Sequence, residues 1–348
     1  MKKDLVRIGI VGSKFAGNFH AESYALAPDC KVVAVCDLVR PGKFMKQWGI
    51  KRYFKTPRSM YESGEIDMVS LCVPNYLHAP FIAEAAKYKL GIVTEKPLAT
   101  KLADAKRALA AVKKYGAQLF YAEDWIFAPA VRRAMALIQE GAIGKVYAIE
   151  AHETHNGSHS PFAKTIRYCG GGAFIHLAIH PIDFVRLVSG SECAEVTAMM
   201  TGGKKKNFEH HDFEGEDWGA VILRMKNGVR AIVKGNYVTH GGMDDRVEIY
   251  GSEGNIKIDM TMGSMLSVYS RNGFTYALEK AETTKGWTRP AVDEFYNLGY
   301  HSEMAHFIEC FRRGKKPEKG VRGEDGLRCL EIVDAAYRSA KSGRTVKL

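Results

Sequence analysis

The sequence lacks several features, and each absence excludes a class of protein. No apolar run reaches the ~18 residues that a membrane-spanning helix needs. The first apolar run, over 5–12, is broken by Arg7 and predicts a buried strand rather than a signal peptide. The seven cysteines form no C-x-x-C pair, which argues against a zinc cage or a disulfide framework. There is no internal repeat and no low-complexity tract. We therefore expect a globular cytoplasmic protein with reduced thiols.

Basic residues are in excess, but their arrangement does not indicate a nucleic-acid surface. The formal net charge is +11, and the densest basic runs are KKK at 204–206 and RRGKKPEK at 312–319. Both runs lie next to glycine, without interleaved aromatic residues and without the signature of a nucleic-acid module. We interpret them as solvated surface that attracts small anions. We expect a small-molecule substrate, with no nucleic-acid and no membrane partner.

The first third of the chain predicts a doubly wound parallel sheet. Short apolar runs alternate with helix-like segments, which is typical of strands that are buried on both faces and joined by helical crossovers. The predicted strands are 5–12, 31–36, 66–73, 90–94 and 118–122, and the predicted helices are 16–27, 42–48, 77–89 and 101–115.

The pattern changes after about residue 125 and predicts a second domain. A helix over 129–140 is followed by strand-like runs that are joined by hairpin turn sequences, KNG at 226–228 and GSEG at 251–254. We predict an α/β protein with a Rossmann-like domain over 1–124. The remainder, 125–348, is predicted as an α+β substrate-binding and oligomerisation domain with an open, mainly antiparallel sheet. Its C-terminal helices are expected to pack back on the first domain.

The first strand runs into a glycine loop that is typical of dinucleotide binding. The segment GIVGSKFAG places Gly12 and Gly17 at the first and third glycine positions of such a loop, while Lys14 occupies the middle one. Asp37 ends the second strand, where a carboxylate binds the ribose hydroxyls of adenosine and repels a 2′-phosphate. We therefore expect NAD rather than NADP, with Lys14 and Arg40 as nearby cations that soften this preference. The predicted cofactor contacts in the loop are Gly12, Ser13, Lys14, Phe15, Ala16 and Gly17.

Further motifs connect the whole chain to a known family. They are VPNYLH at 73–78, TEKPLAT at 94–100, GAIGKV at 141–146, GGG…HPID within 170–183 and VEIYGSEGNI at 247–256. Together with the glycine loop, and in this order, they resemble the glucose–fructose oxidoreductase / inositol dehydrogenase / MocA (Gfo/Idh/MocA) family over essentially the full length.

The resemblance implies an NAD-dependent oxidoreductase that transfers a hydride between nicotinamide and a secondary hydroxyl of a sugar, cyclitol or glycoside. It places Lys96 beside the reacting carbon and His180 at the substrate as the acid/base. The residue types suit this chemistry, because an imidazole accepts a proton near neutral pH and a lysine stabilises a developing alkoxide. Asp183, three residues further on, is expected to orient the ring of His180. The resemblance also implies a homodimer or homotetramer, and cofactor contacts at Pro74, Asn75, His78, Glu95 and Lys96.

The sequence departs from the family pattern around the substrate. Relatives usually carry an aspartate four residues before the catalytic histidine, where this chain has His176. The four-residue spacing would place His176 and His180 on one face of a helix. A histidine-rich loop, HETHNGSHSPF, precedes them over 152–162. The predicted substrate-binding residues are Lys96, Glu123, His155, His159, Tyr168, His176 and His180.

The histidine cluster leaves its own role open. Its imidazoles and carboxylates can bind sugar hydroxyls, or they can be loop residues with no specific function. A divalent metal is a further alternative, because histidine and carboxylate ligands suit zinc or manganese. That metal would be held by some of Glu123, Glu153, His155, His159 and His176.

Two other functions remain open beside simple alcohol oxidation. The first is a glycoside-cleaving or eliminating enzyme that oxidises its substrate transiently and then re-reduces it, so that NAD is recycled. The second is a non-catalytic NAD-binding sensor, against which the presence of both Lys96 and His180 argues.

Overall fold

The computed structural model describes residues 5–261, 268–273, 282–288 and 293–348, which form two compact units. The first unit contains the described residues up to Phe127 together with Gly299–Leu330. The second contains the described residues of Ala128–Leu298 together with Glu331–Leu348. The division after Phe127 lies close to the predicted boundary at residue 124, and the first unit takes in helical sequence from the C-terminal part of the chain.

The strands and helices have the following bounds. The strands are β1 (Val6–Val11), β2 (Cys30–Cys36), β3 (Arg52–Phe54), β4 (Met68–Leu71), β5 (Gly91–Thr94), β6 (Gln118–Tyr121), β7 (Val146–Thr154), β8 (Cys193–Met200), β9 (Trp218–Met225), β10 (Arg230–Asn236), β11 (Asp244–Gly251), β12 (Asn255–Asp259), β13 (Val268–Ser270), β14 (Gly286–Thr288) and β15 (Val346–Lys347). The helices are α1 (Phe15–Leu26), α2 (Gly42–Gln47), α3 (Pro57–Glu62), α4 (His78–Ala86), α5 (Leu102–Tyr115), α6 (Pro129–Gln139), α7 (Ile166–Cys169), α8 (Ala173–Leu177), α9 (Ile179–Ser189), α10 (Glu294–Leu298), α11 (Tyr300–Arg313) and α12 (Gly323–Ser342).

The first unit contains a parallel six-stranded sheet in the order β3-β2-β1-β4-β5-β6. All residues of β4 and β5 are buried, as expected for central strands covered on both faces. The prediction of a doubly wound parallel sheet is confirmed. The sequence analysis missed β3, because three residues of intermediate or high exposure are too short to show a strand period.

The second unit contains a mixed seven-stranded sheet in the order β12-β11-β7-β10-β9-β8-β15. Only the β7–β10 pair of this sheet is parallel in the part of the chain that the structure describes. The predicted hairpins are confirmed, because β9–β10 and β11–β12 are antiparallel neighbours joined at KNG and GSEG. A separate short pair, β13–β14, was not predicted.

The helical segment after the glycine run is two helices rather than one. Helix α8 ends at Leu177 and α9 begins at Ile179, with a bend of 51° between the flanking helical segments. Pro181 explains the interruption, because its nitrogen has no hydrogen to donate to the carbonyl of Leu177 one turn earlier. His176 and His180 therefore lie on different helices, and the expectation that they share one helix face is wrong.

Two absences expected from the sequence can be compared with the structure. Among the described residues, no single helix combines the length and the apolar composition needed to cross a bilayer. One bent pair, Ile166–Leu177 with Ile179–Ser189, meets that test by length and composition only. All seven cysteines are free, and six of them are buried.

The glycine run before α8 allows a close approach of two backbone segments, and this gives a test of the fold. A Cβ atom at Gly172 would lie 2.0 Å from the backbone oxygen of Glu216. We expect Gly172→Ala to lower the free energy of unfolding by about 2 kcal/mol or more, because backbone atoms must move. Gly42→Ala is the matched control, since a Cβ there would meet nothing within 4 Å. Equal thermal unfolding curves for the two variants would contradict the close approach of Gly172 to the backbone of Glu216.

Candidate active site

The glycine loop of the first unit has the backbone geometry of a nucleotide cradle. Gly12 has φ +94°, and a Cβ atom there would lie 2.0 Å from the carbonyl oxygen of Cys72. Helix α1 follows without a side-chain cap and without an acidic residue in its first turn. Its first N–H groups and the positive end of its dipole therefore suit a pyrophosphate.

Asp37 connects the loop to the end of β2. Its Oδ2 accepts a hydrogen bond of 3.0 Å from the backbone nitrogen of Ser13, and its Oδ1 accepts one of 2.7 Å from that of Leu38. The hydroxyl of Ser13 also donates to Oδ2, and a carboxylate can accept about four hydrogen bonds, so Asp37 retains capacity for one ribose hydroxyl beside these three. The Lys14 side chain is exposed, which keeps its bulk off the buried side of the loop. These residues fit an NAD molecule with an unmodified ribose.

A second set of predicted cofactor residues lies at the ends of β4 and β5. Asn75 is half-buried, whereas His78 is buried and contacts two loop carbonyls. Its Nδ1 lies 2.6 Å from the oxygen of Pro97, and its Nε2 lies 2.8 Å from that of Val73. His78 therefore ties the loop that carries Pro74 to the loop that carries Lys96.

Glu95 and Lys96 follow β5 directly, before a cis Lys96–Pro97 bond. Oε1 of Glu95 lies 2.9 Å from Nε2 of His20, and its Oε2 accepts a 3.2 Å hydrogen bond from the backbone nitrogen of Lys96. Burial alone would raise the pKa of Glu95, but the hydrogen bond and charge of His20, with Lys96 and His78, lower it to about 2. Glu95 is therefore a carboxylate beside the predicted catalytic lysine.

Glu123 lies in the same unit and behaves in the opposite way. It is fully buried, and burial raises its pKa to about 8, with Lys96 lowering and Glu95 raising the value. The side chain is thus a neutral acid over most of the neutral range. The first unit therefore brings three predicted site residues into electrostatic contact: Glu95, Lys96 and Glu123.

In the second unit, the predicted acid/base has a carboxylate neighbour. His180 and Glu153 are buried, and Nε2 of His180 lies 3.7 Å from Oε2 of Glu153. The two side chains are thus close enough for an ion pair whenever both are charged. Asp183, which was expected to orient the ring, accepts a 2.6 Å hydrogen bond from Arg186. Its role toward His180 stays a prediction.

His176 is bound to a tyrosine that the sequence analysis did not identify. Its Nδ1 is hydrogen-bonded to the hydroxyl of Tyr237, which is fully buried just after β10. The ring of His155 lies 5.7 Å from that of Tyr237, centroid to centroid. Burial, reinforced by Cys169 and Glu216, raises the pKa of Tyr237 well above its ordinary value, so it remains a phenol. The structure thus joins His155 and His176 through one hydroxylated ring.

The remaining members of the histidine-rich loop are less enclosed. His159 is exposed, and the half-buried Tyr168 packs edge-on against Phe162 with ring centroids 5.7 Å apart. Within the described residues of the second unit alone, no three histidine, cysteine or carboxylate groups bring ligand atoms within 4.8 Å of one another. The alternative of a metal in the histidine cluster stays untested.

Tyr237 and His20 were not predicted as site residues, and the sequence indicates only one of them. Tyr237 gives none in the sequence, because its position depends on the pairing of β10 with β7. His20 gives a weak signal, because it lies four residues before Tyr24 on the same buried side of α1. A pair of polar side chains on the buried face of a helix is unusual enough to suggest a hydrogen-bond network.

The fold and these sites define an NAD-binding oxidoreductase with a second, C-terminal α/β domain. The family model "Oxidoreductase family, NAD-binding Rossmann fold" matches residues 6–123, and "Oxidoreductase family, C-terminal alpha/beta domain" matches residues 135–348. The chain belongs to this Gfo/Idh/MocA family. The predicted family, fold class, NAD cofactor and oxidoreductase activity on a CH–OH group are thereby confirmed.

Curated relatives and solved structures agree with this membership. The chain is 27% identical over 351 residues to myo-inositol 2-dehydrogenase of Thermotoga maritima, covering 99% of this chain and 98% of that protein. It is 28% identical to scyllo-inositol 2-dehydrogenase (NAD(+)) of Bacillus subtilis, covering 99% and 96%. The crystal structure of GenD2 from gentamicin A biosynthesis, in complex with NAD, superimposes with a TM-score of 0.92 at 23% identity and covers 100% and 97% of the two chains. That last likeness shows the shared fold.

The raised pKa of Glu123 predicts a pH dependence of stability. Between the ordinary value of 4.5 and the folded value of about 8, the unfolded chain releases a proton that the folded chain keeps. Stability therefore falls as pH rises through this window and levels off above it. We expect Glu123→Gln to flatten the fall of Tm between about pH 5 and about pH 8, by several degrees. Glu140→Gln, at an exposed site, is the control. If Tm depends on pH in the same way in the wild type and in both variants, the raised pKa of Glu123 is refuted.

Proposed function

We propose that the protein oxidises a secondary hydroxyl of a cyclitol in an NAD-dependent reaction. The observation that carries the proposal is the buried pair of His180 and Glu153, 3.7 Å from nitrogen to oxygen. It is a proton acceptor whose charged form is already compensated. The dehydrogenases named above, which act on inositols by their names, support the choice of substrate class.

The side chains divide the chemistry between them. NAD, when bound along residues 12–17 and Asp37, supplies the acceptor for the hydride. His180 takes the hydroxyl proton, and Glu153 stabilises the imidazolium that results. Lys96 polarises the substrate oxygen with its ammonium group and stabilises the developing alkoxide. This assignment gives each reacting atom of the alcohol a partner in the chain.

The substrate ring is held by groups that both donate and accept hydrogen bonds. We assign this role to Glu123, which donates while it is protonated, and to His155 and His176. His176, where relatives usually have an aspartate, presents an imidazole backed by Tyr237. The exposed His159 and the half-buried Tyr168 complete the set as predicted from the sequence.

A substrate panel with NAD tests the reaction. We expect NADH to form with myo-inositol or scyllo-inositol, at a rate above that with simple hexoses. His180→Ala should lower kcat/KM by about 100-fold to 10,000-fold, because the general base is lost. Lys96→Met should lower it by about 100-fold to 1,000-fold through loss of electrostatic stabilisation. His211→Ala, at an exposed loop histidine, is the matched control.

The stoichiometry of the same assay separates this function from its rival. A net oxidation gives one NADH for each substrate molecule consumed, whereas a glycoside-cleaving enzyme that recycles NAD gives product without NADH accumulation. Full activity of His180→Ala would reject the assignment of the base. Tight NAD binding with no turnover across the panel would favour a sensor instead.

We also propose that the protein is a cytoplasmic homodimer or homotetramer. The family resemblance suggests assembly, and the sheet of the second unit presents apolar side chains on one exposed face. Ile222 and Ile232 are paired across β9 and β10 and are 56% and 41% exposed, and Met199 on β8 is 72% exposed. Apolar groups grouped in this way are typical of an interface. The seven free cysteines fit a reducing compartment.

The oligomeric state can be measured by light scattering after size exclusion. We expect the wild type to be dimeric or tetrameric, and Ile222→Lys to reduce the assembly, because a desolvated lysine opposes the interface. Leu26→Lys at the end of α1 introduces the same charge at another exposed aliphatic residue and should leave the assembly intact. A monomeric wild type would overturn the proposal.

A further inference from the structure

His20 connects α1, the helix that follows the glycine loop, to Glu95 directly after β5. It lies on α1, is fully buried, and uses both ring nitrogens. Nε2 lies 2.9 Å from Oε1 of Glu95, and Nδ1 lies 2.6 Å from Oγ of Ser70 on β4. The hydroxyl of Tyr24 lies 3.1 Å from the same Ser70 oxygen. Helix α1, strand β4 and the segment that follows β5 therefore meet at one imidazole.

This chain of hydrogen bonds is not suited to proton export. It joins the backbone amide of Lys96 through Glu95, His20 and Ser70 to Tyr24, and the last three are at most 1% exposed. The ammonium group of Lys96 takes no part in these bonds, and they end at the buried hydroxyl of Tyr24 rather than at solvent. The network is therefore better suited to holding groups in place than to moving protons.

We propose that His20 is a positioning residue for the reaction: it binds the Glu95 carboxylate from α1 and thereby orients Glu95 and the adjoining Lys96 toward the cofactor and substrate. The proposal rests on the role given to Lys96 in the proposed function. His20 itself touches no reacting atom. His20 lies on the helix that follows the glycine loop and also contacts Glu95, the residue before Lys96. A shift of this helix on cofactor binding would therefore shift Glu95 and Lys96 as well.

The charges around His20 agree with this role. Burial opposes a charge on the ring, but Cys72 and Glu95 more than offset it, so the pKa of His20 lies well above its ordinary value. Glu303 faces the pair from α11 and is fully buried. Burial, reinforced by Asp124 and Glu95, holds the pKa of Glu303 well above its ordinary value, so it remains neutral. His20 is then the cation that balances Glu95 from this side.

The other charged groups that face Glu95 belong to neighbouring loops. They are Lys96, His78 and Glu123; burial lowers the pKa of His78 and raises that of Glu123 to about 8. Loss of the His20 charge would leave the largely enclosed Glu95 with less compensation, so its pKa would rise above its present low value. Glu95 would then take up a proton at a higher pH than in the wild type.

Two substitutions separate hydrogen bonding from charge. His20→Gln keeps a neutral donor that can reach Glu95, whereas His20→Leu removes both the donor and the charge. We expect kcat/KM to fall about tenfold to 100-fold in His20→Leu, as for a small misplacement of a catalytic group, and less in His20→Gln. Both variants should gain an acid limb in the pH profile that the wild type lacks. Glu303→Gln removes the neighbouring acid without changing charge and should gain no limb.

A spectroscopic measurement tests the same contact without turnover. In a titration of ¹⁵N-labelled histidine rings followed by NMR, the His20 signals are identified by their loss in His20→Gln. We expect an imidazolium that persists well above pH 6.5, and Glu95→Gln should lower its titration midpoint by about one unit or more. This readout stands even if no cyclitol is oxidised, so its result is separable from that of the proposed function.

The kinetic and NMR results together decide whether His20 is a positioning residue. A His20 ring that titrates with Glu95, together with a new acid limb in the active variants, supports the positioning role. A ring whose titration does not change in Glu95→Gln overturns it, whatever the activity. Variants of His20 that lose Tm and activity in proportion, with an unchanged pH profile and no rescue by glutamine, would also overturn it, because a purely structural role predicts that pattern.

Discussion

Carboxyl groups that are largely enclosed in this protein must be paired with a cation, hydrogen-bonded by other donors or protonated, and the candidate site depends on how that constraint is met. Removing a carboxylate from water costs several kcal/mol unless a partner compensates it. Glu95 has His20 and Lys96 as partners and is ionised. Glu123 and Glu303 have too little compensation and keep their protons. Acids of the same type thus hold opposite charge states within one unit, which supplies both a counter-ion and a hydrogen-bond donor.

The second unit meets the same constraint with histidines and backbone amides. Glu153 on β7 lies beside His180, and Glu216 accepts hydrogen bonds from the amides of Gly172 and Phe174 and from the hydroxyl of Tyr337. The glycine run before α8 allows the backbone to approach Glu216 closely enough for these bonds. The start of α8, and with it the position of His176, therefore depends on a buried acid from another part of the chain.

The sequence predicted what depends on local pattern. The parallel strands of the first unit, the hairpins at KNG and GSEG, and the glycine loop all follow from apolar periodicity and turn residues, and the structure confirms them. The sequence did not predict which residues that are distant along the chain contact one another. Nothing local shows that His180 lies beside Glu153, that Tyr237 binds His176, or that His20 reaches Glu95. Such contacts depend on strand register and helix placement, which single-sequence patterns do not encode.

The break between α8 and α9 places the two predicted site histidines of this segment on separate helices. Because Pro181 interrupts the hydrogen-bond ladder through its covalent structure, the break does not depend on which side chain occupies position 176. His176 lies on α8 and is hydrogen-bonded to Tyr237, whereas His180 lies on α9 beside Glu153. Because the two contacts belong to separate helices, a substitution at position 176 changes the group that is bound to Tyr237 and leaves the pair of His180 and Glu153 in place.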